Sequence, residues 1–435
     1  MLAQWRSRTG RDRSRILRRW YDLLMQNQKD LATLISWENG KATPDAADEV
    51  IFASSFLEWF SEEAARIHGD VVPHSAPGFR VAVVKEPVGV CGLITPWNFP
   101  AAMVTRKLGP ALAAGCTVVV KTAGETPFTA NALAILSERA GVPKGVVNLV
   151  TALDNTAEIG ETLCKSDTIR KISFTGSTRV GKLLMEQCSS TLKRLSLELG
   201  GNAPFIVFND ADLDLAVQGA MGSKFKSSGQ TCVCSNRIFV QKEIYPLFVR
   251  QLKESVSKLK IGHGPDAQMT QGPLVTQVAA ERVEGLVQDA VEKGAKIEAG
   301  GKRLHDLGPN FFEPTILTNL KPDMRIVKEE IFGPVAPIFQ FKTEDEAVGS
   351  ANECEVGLAS YIYTQDVARA ARVSELLQFG MVALNTGVIS DAAAPFGGIK
   401  HSGTGREGSK YGIEDYMQLK TLITGNVNVV HRSHL

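Results

Sequence analysis

The chain has 435 residues, 44% hydrophobic and 22% charged, enough to bury two or three domain-sized cores and keep a polar surface. Its 48 basic and 47 acidic side chains leave a formal net charge of +1, which gives no electrostatic footprint for nucleic acid or an anionic membrane. No apolar run of about 18 residues occurs, the seven cysteines do not form a disulfide framework, and neither C-x-x-C nor H-E-x-x-H supports a metal site.

The start is rich in arginine, from Arg6 to Arg19, and superficially looks like a mitochondrial transit peptide. From Ile16, however, Trp20, Leu23, Leu24, Leu31, Leu34 and Ile35 recur at helical spacing, so one folded amphipathic helix beginning near Asp12 is expected. Without a secretory apolar segment, the cytoplasm is the default compartment. Phe79–Lys85 is β-prone. From Val88 to Leu199, strands are expected at Val88–Thr95, Thr117–Lys121, Val147–Val150, Lys171–Phe174 and Arg194–Leu199. Helices are expected between them at Ala101–Ala114, Pro127–Arg139, Thr156–Cys164 and Thr178–Cys188. This alternation implies right-handed crossovers and a doubly wound parallel sheet, and apolar runs such as Thr117–Lys121 suit strands covered on both faces. After Gly200-Gly201, a second α/β series has strands at Pro204–Phe208, Arg237–Val240, Val335–Phe341, Leu358–Tyr363 and Met381–Asn385. Its helices are Ala211–Phe225, Ile244–Leu259 and Thr276–Glu292. The tail Tyr416–Val430 is again β-prone and, with Phe79–Lys85, fits neither lobe; together they read as an arm offering sheet edges to another subunit. The fold class is therefore α/β, with residues 1–66 and 87–200 as a nucleotide-binding domain and 201–414 as a catalytic domain. Residues 67–86 and 415–435 form the small β arm and tail. Two lobes meeting near residue 200 would enclose a cleft.

Four segments carry candidate chemistry. Cys232, in Gly229-Gln230-Thr231-Cys232, is a candidate nucleophile, although an isolated cysteine is more often a small core residue. Glu198, at the end of an apolar strand, is costly to bury and suits general-base work, or is simply a paired core carboxylate. Asn98, in the loop Pro96-Trp97-Asn98-Phe99-Pro100, offers an amide to a developing oxyanion, or merely closes a turn. Gly176-Ser177-Thr178 joins a strand to a helix, and free N–H groups there suit a phosphate, although the sequence is not G-x-G-x-x-G.

Together with Thr117–Lys121, Glu330–Pro334 and Pro395–Gly398, these segments resemble the aldehyde dehydrogenase superfamily in order and separation along essentially the whole chain. The resemblance implies attack by Cys232 on an aldehyde, an oxyanion held by Asn98 and the Cys232 backbone N–H, hydride transfer to NAD or NADP, and release of the acid by water activated at Glu198. It also implies a cofactor site at Thr95, Pro96, Trp97, Lys121, Gly124, Glu125, Gly176, Ser177, Glu330 and Phe332. Lys121 would hold the adenosine ribose, Glu330 the nicotinamide ribose, and Phe332 would lie beside the ring. A homodimer or homotetramer is implied too, with neither nucleic acid nor membrane as a partner. Relatives usually carry a few dozen residues before the helix near Asp12, so less cover over the cofactor lobe is expected here.

Within the superfamily, Phe56–Ala64, Thr105–Lys107, Gly229–Asn236 and Arg406–Gly412 most resemble succinate-semialdehyde dehydrogenases. That subfamily grips a distal carboxylate with two arginines and a serine; Arg106 and Ser390 match, while Lys226 replaces the second arginine. Lysine keeps the charge and loses the planar fork, so weaker recognition or acceptance of glutarate semialdehyde is expected. A betaine-type or simple aliphatic aldehyde, or a non-catalytic relative, is the alternative. Gly124 stands where NAD-preferring members have a glutamate, which removes repulsion against a 2′-phosphate, so use of both cofactors with a lean to NADP is expected. Cys234 matches a second cysteine beside the nucleophile, either a redox partner for Cys232 or a thiol lining the substrate tunnel.

Overall fold

The computed structural model describes residues 1–264 and 268–427. In chain order its strands are β1 Asp70–Val72, β2 Arg80–Pro87, β3 Val90–Ile94, β4 Thr117–Ala123, β5 Val147–Ala152, β6 Ile169–Thr175 and β7 Arg194–Glu198. There follow β8 Ala203–Val207, β9 Ser235–Gln241, β10 Lys296–Ala299, β11 Thr315–Thr318, β12 Val335–Phe341, β13 Val356–Gly357, β14 Ala359–Tyr363 and β15 Met381–Leu384. Short β16 Ile399–Lys400 and β17 Gly403–Thr404 precede β18 Met417–Thr424.

The first sheet has order β17-β7-β6-β3-β4-β5, all parallel except β17. From β3 the chain winds outward through β4 and β5, then returns to place β6 and β7 on the other side. The order therefore reverses between β3 and β6, and the crevice at their carboxyl ends is where ligands of such sheets bind. Helices cover both faces. One core gathers Trp20, Phe56, Phe60, Leu112 and Leu133 beneath the N-terminal helices; the other gathers Ile172, Leu184 and Leu197 beneath Thr156–Lys165 and Thr178–Cys188.

The second sheet has order β10-β11-β12-β9-β8-β14-β15 and is parallel except for β10. The two sheets join at Gly200-Gly201-Asn202. A β-carbon on Gly201 would stand 2.2 Å from the carbonyl oxygen of Cys232, so only glycine lets the two segments pass this closely. β1, β2 and β18 form a separate three-stranded antiparallel sheet, with Gln418–Thr424 exposed along β18. The tail residues 428–430, read as part of the β-prone stretch, lie outside the described residues.

Several elements differ from the sequence reading. The amphipathic stretch is two helices, Gly10–Gln26 and Gln28–Asn39, broken at Asn27, whose side-chain amide donates back to the Leu23 carbonyl at 2.7 Å. β10 and β11 are four residues each, too short for periodicity to register, and β10 carries Lys296 and Glu298. The helices Glu344–Asn352 and Val367–Leu376 were also not anticipated; each bears only two buried residues. Among the described residues no helix is long and apolar enough to cross a membrane.

Candidate active site

β3 delivers the loop 95–100 to the crevice. Thr95 N–H donates to the Lys121 carbonyl at 3.0 Å, tying this exit to β4. Asn98 is buried, and its Nδ2 donates to the Gln230 carbonyl at 3.0 Å, two residues before Cys232. That bond fixes which end of the amide is the donor and leaves its second N–H for another acceptor. The loop is clamped from the N-terminal helices as well. Asn39 Nδ2 donates to the Trp97 carbonyl at 2.9 Å, and Lys41 Nζ donates to the Asn98 carbonyl at 2.8 Å.

Cys232 follows the helix Leu213–Phe225 and an unusual turn. Ser227, Ser228 and Gly229 all have left-handed backbone, with φ of 51°, 56° and 72°. Two consecutive serines in this region cost backbone energy that surrounding bonds must offset. Ser227 N–H donates to Asp45 Oδ2 at 2.9 Å, Ser228 Oγ donates to the Gly272 carbonyl at 2.8 Å, and a β-carbon on Gly229 would collide with the Gly333 carbonyl at 2.2 Å. Cys232 itself is half-buried. Burial, then the nearby Glu330 carboxylate, push its thiol up to about 12, while the Arg106 charge opposes them.

Glu198 ends β7, buried, with Oε2 unpartnered among the described residues. Burial first, then repulsion from Glu407, hold its carboxyl well above the usual range, against the pull of Arg106, Lys107 and Arg406. It is thus a buried proton acceptor of raised basicity close enough to Cys232 to influence its charge.

A cavity of about 410 Å³ opens onto Cys232 and Asn98. Cys232, Asn98, Phe99, Phe396 and Tyr361 line it together with Arg106, Lys226 and Ser390, so the residues named for thiol chemistry and for a carboxylate share one space. Arg106 is 2% exposed; its Nε faces Glu407 Oε2 at 2.7 Å, its guanidinium lies 4.1 Å from the Phe396 ring centroid, and its Nη2 is buried without a partner. Lys226, read as a lysine in place of the second carboxylate-gripping arginine, is paired with Asp48 at 2.9 Å, with both side chains partly in solvent. Cys234 does not line the cavity: it is buried and its Sγ donates to the Lys224 carbonyl at 3.3 Å, so the tunnel-lining alternative is corrected.

Of the cofactor candidates, Thr95–Trp97, Lys121–Glu125 and Gly176–Ser177 lie at the carboxyl ends of β3, β4 and β6, while Glu330 and Phe332 precede β12. Lys121 is buried and its ammonium makes no hydrogen bond among the described residues; burial lowers its pKa and Glu125 raises it. A β-carbon on Gly124 would lie 2.6 Å from Leu153 Cβ and 2.8 Å from the Ala152 carbonyl, leaving no room for a side chain. The Gly176 N–H, expected to be free, donates to the Glu198 carbonyl at 3.0 Å. Ser177 caps the helix Thr178–Cys188, its Oγ accepting from Val180 N–H. Glu330 accepts from Gly201 N–H at 3.1 Å, and burial raises its carboxyl to about 7. Trp97 and Phe332 meet edge to face at 5.6 Å.

The sequence reading missed the charges that organise this site. Glu407 receives Lys107 and Arg106, both buried, and Glu49 pairs with Lys41 at 2.5 Å. A signal existed for some of them: Asp45, Asp48 and Glu49 lie at i, i+3 and i+4 of one helix, Thr43–Glu63, and so share a face.

A reversing parallel sheet with a Ser177-capped helix after β6, a half-buried thiol and a buried carboxylate are the parts of an NAD(P)-dependent oxidoreductase, and similarity to known proteins places the chain in that class. The aldehyde dehydrogenase family model matches residues 1–422. Succinate-semialdehyde dehydrogenase [NADP(+)] 1 of Schizosaccharomyces pombe is 57% identical over 97% of this chain and 84% of its own. Glutarate-semialdehyde dehydrogenase of Pseudomonas aeruginosa is 54% identical over 98% of this chain and 88% of its own. The crystal structure of succinate-semialdehyde dehydrogenase from Burkholderia pseudomallei superposes with a TM-score of 0.96 at 54% identity, covering 98% of this chain and 87% of that one. The chain belongs to the aldehyde dehydrogenase family.

Proposed function

We propose that this enzyme oxidises a short aldehyde with a distal carboxylate, succinate semialdehyde or the one-carbon-longer glutarate semialdehyde, to the diacid, using NADP or NAD. The observation that carries this reading is the buried Nη2 of Arg106, without a partner among the described residues, in the cavity that also holds Cys232. A guanidinium donor withheld from water is expensive unless an anion meets it. Relatives named for succinate and for glutarate semialdehyde match about equally well, and Lys226 bound to Asp48 leaves Arg106 and Ser390 as the main anchors.

The residues present fit a dinucleotide. Lys121 offers an ammonium that makes no hydrogen bond among the described residues, Thr175 Oγ1 is buried at the end of β6 with no partner among them, and Ser177 heads a helix. Lys121, Ser177, Trp97 and Glu330 would hold it, and Gly124 keeps a carboxylate away from a ribose 2′-phosphate, which favours NADP. When bound, its nicotinamide accepts the hydride that leaves the aldehyde carbon. The remaining work falls to side chains. Cys232 Sγ bonds to the aldehyde carbon as its proton passes to a base, and the Asn98 amide with the Cys232 N–H holds the oxyanion. Loss of hydride leaves a thioester on Cys232. Glu198 then removes a proton from water, which attacks the thioester and frees the acid and the thiol. The exposed strand β18, with Leu419, Leu422 and Ile423 outward, is read as the edge through which a homodimer or homotetramer assembles.

The test is steady-state kinetics with succinate semialdehyde, glutarate semialdehyde and butyraldehyde, each with NADP and NAD. A kcat/KM advantage of about tenfold or more for a semialdehyde corresponds to about 1.4 kcal/mol of carboxylate recognition. Equal rates with butyraldehyde overturn the substrate assignment, and activity that survives Cys232→Ala overturns the mechanism.

A further inference from the structure

The buried ion pair Lys41–Glu49 lies outside the reacting groups, yet it holds the loop that bears Asn98. Lys41 and Glu49 are 1% and 0% exposed at their side chains, and Nζ meets Oε2 at 2.5 Å. Two charges withdrawn from water this completely are a costly way to stabilise a fold, since well-packed apolar residues do as well or better. What the pair provides is direction. Lys41 Nζ donates to the Asn98 carbonyl at 2.8 Å and lies 4.0 Å from the Phe99 ring centroid. Glu49 Oε1 accepts from Ala101 N–H at 2.9 Å and Ala102 N–H at 3.4 Å, at the start of the helix Ala102–Ala114. The loop is thus gripped at Asn98 and at its exit by one pair of side chains. On the same helix face, Asp45 holds Ser227 N–H, three residues before Asn98's acceptor Gln230.

We propose that Glu49 and Lys41 are positioning residues for the oxyanion site: their ion pair sets the Asn98 amide against the Gln230 carbonyl and so at a fixed place beside Cys232. The inference rests on the role given to Asn98 above. It separates a positioning effect from a general loss of stability, because an effect transmitted through Asn98 disappears once Asn98 is gone.

The experiment is a double-mutant cycle of Glu49→Gln with Asn98→Ala, in the full-length enzyme, with thermal melting to establish that each variant is folded. Asn98→Ala alone is expected to lower kcat by about 100-fold or more, the usual loss for an oxyanion donor. Glu49→Gln alone is expected to lower kcat at least tenfold with KM changed less than threefold, and to change kcat less than twofold when Asn98 is already alanine. Additive losses overturn the proposal. If Glu49→Gln fails to fold, the pair Lys41→Met/Glu49→Gln, which leaves no buried charge unpaired, is run through the same cycle. An unchanged kcat for Asn98→Ala instead overturns the role of Asn98 itself. A crystal structure of the Glu49 variant gives a readout independent of activity: the Asn98 Nδ2 contact with the Gln230 carbonyl, 3.0 Å here, is expected to lengthen or be lost, and its persistence unchanged overturns the proposal.

Discussion

Replacing Arg106 with methionine tests the substrate reading most directly, because the change keeps much of the side-chain volume and removes only the charge and donors. A carboxylate held by this guanidinium gains charge-assisted bonds, and loss of one partner of such a buried contact costs about 2–4 kcal/mol. At about 1.4 kcal/mol per decade, kcat/KM for succinate semialdehyde should fall by about 30- to 1000-fold. Butyraldehyde has nothing to offer Arg106, so its loss should stay within about fivefold at the pH optimum. A second effect has a definite sign. Glu198 is raised by burial and by Glu407, and Arg106 is foremost among the cations opposing them. Without that cation the protonated form of Glu198 is favoured further, so the rising limb of the pH–rate profile for butyraldehyde should move to higher pH. Glu407 keeps Lys107 as a partner, which spares the variant a wholly unpaired buried carboxylate. The assay is initial-rate kinetics for both aldehydes from pH 6 to 10, with saturating NADP. Parallel losses for the two substrates would refute the reasoning, since Arg106 would then serve the architecture and not the substrate.

Two further outcomes follow from the same geometry. Asp48→Asn frees Lys226 at the cavity mouth; because the pair is about half in solvent its worth is about 0.5–1 kcal/mol, so kcat/KM for the semialdehydes should rise two- to fivefold while butyraldehyde is unchanged. A fall for the semialdehydes would mean that the pair braces the turn at Ser227. Gly124→Glu should forfeit NADP activity and lower the melting temperature, because the new side chain must displace Leu153 and the Ala152 carbonyl; unchanged NADP kinetics would show that this position does not face the ribose.

Local chemistry made much of this molecule legible in its sequence. The short β-branched runs and the helices between them were readable because strands buried on both faces have a distinct composition, as in Thr117–Ala123. Cys232, Glu198 and Asn98 stood out because each is a reactive or polar residue inside an apolar or tightly turned segment. What stayed hidden depends on long-range pairing. Nothing in Lys226 announces that Asp48, 178 residues away, neutralises it. The Gly176 N–H looked free because its acceptor, the Glu198 carbonyl, belongs to the neighbouring strand β7. Glu407 and Lys107 are 300 residues apart, and only the fold makes them partners.

These long-range charges explain a feature that would otherwise count against the site. A nucleophilic thiol is expected to ionise readily, yet Cys232 is pushed up to about 12. Its opponents are burial and Glu330, and Glu330 itself is raised to about 7 by burial. Burial and Glu407 likewise raise the Glu198 carboxyl. Burial thus pushes the thiol and both carboxyls toward their neutral forms, because desolvation penalises each charged form. Ionisation of Cys232 becomes favourable when positive charge is brought near it or when a proton is accepted as the new bond forms. Arg106 fits the same scheme: it lies close enough to lower both Cys232 and Glu198, but Glu407 holds its Nε and so limits its field. An anionic substrate at Nη2 would draw down that field further. On the proposed function, a substrate carboxylate bound at Arg106 would also tend to raise Glu198, tying substrate recognition and proton acceptance to a single buried guanidinium.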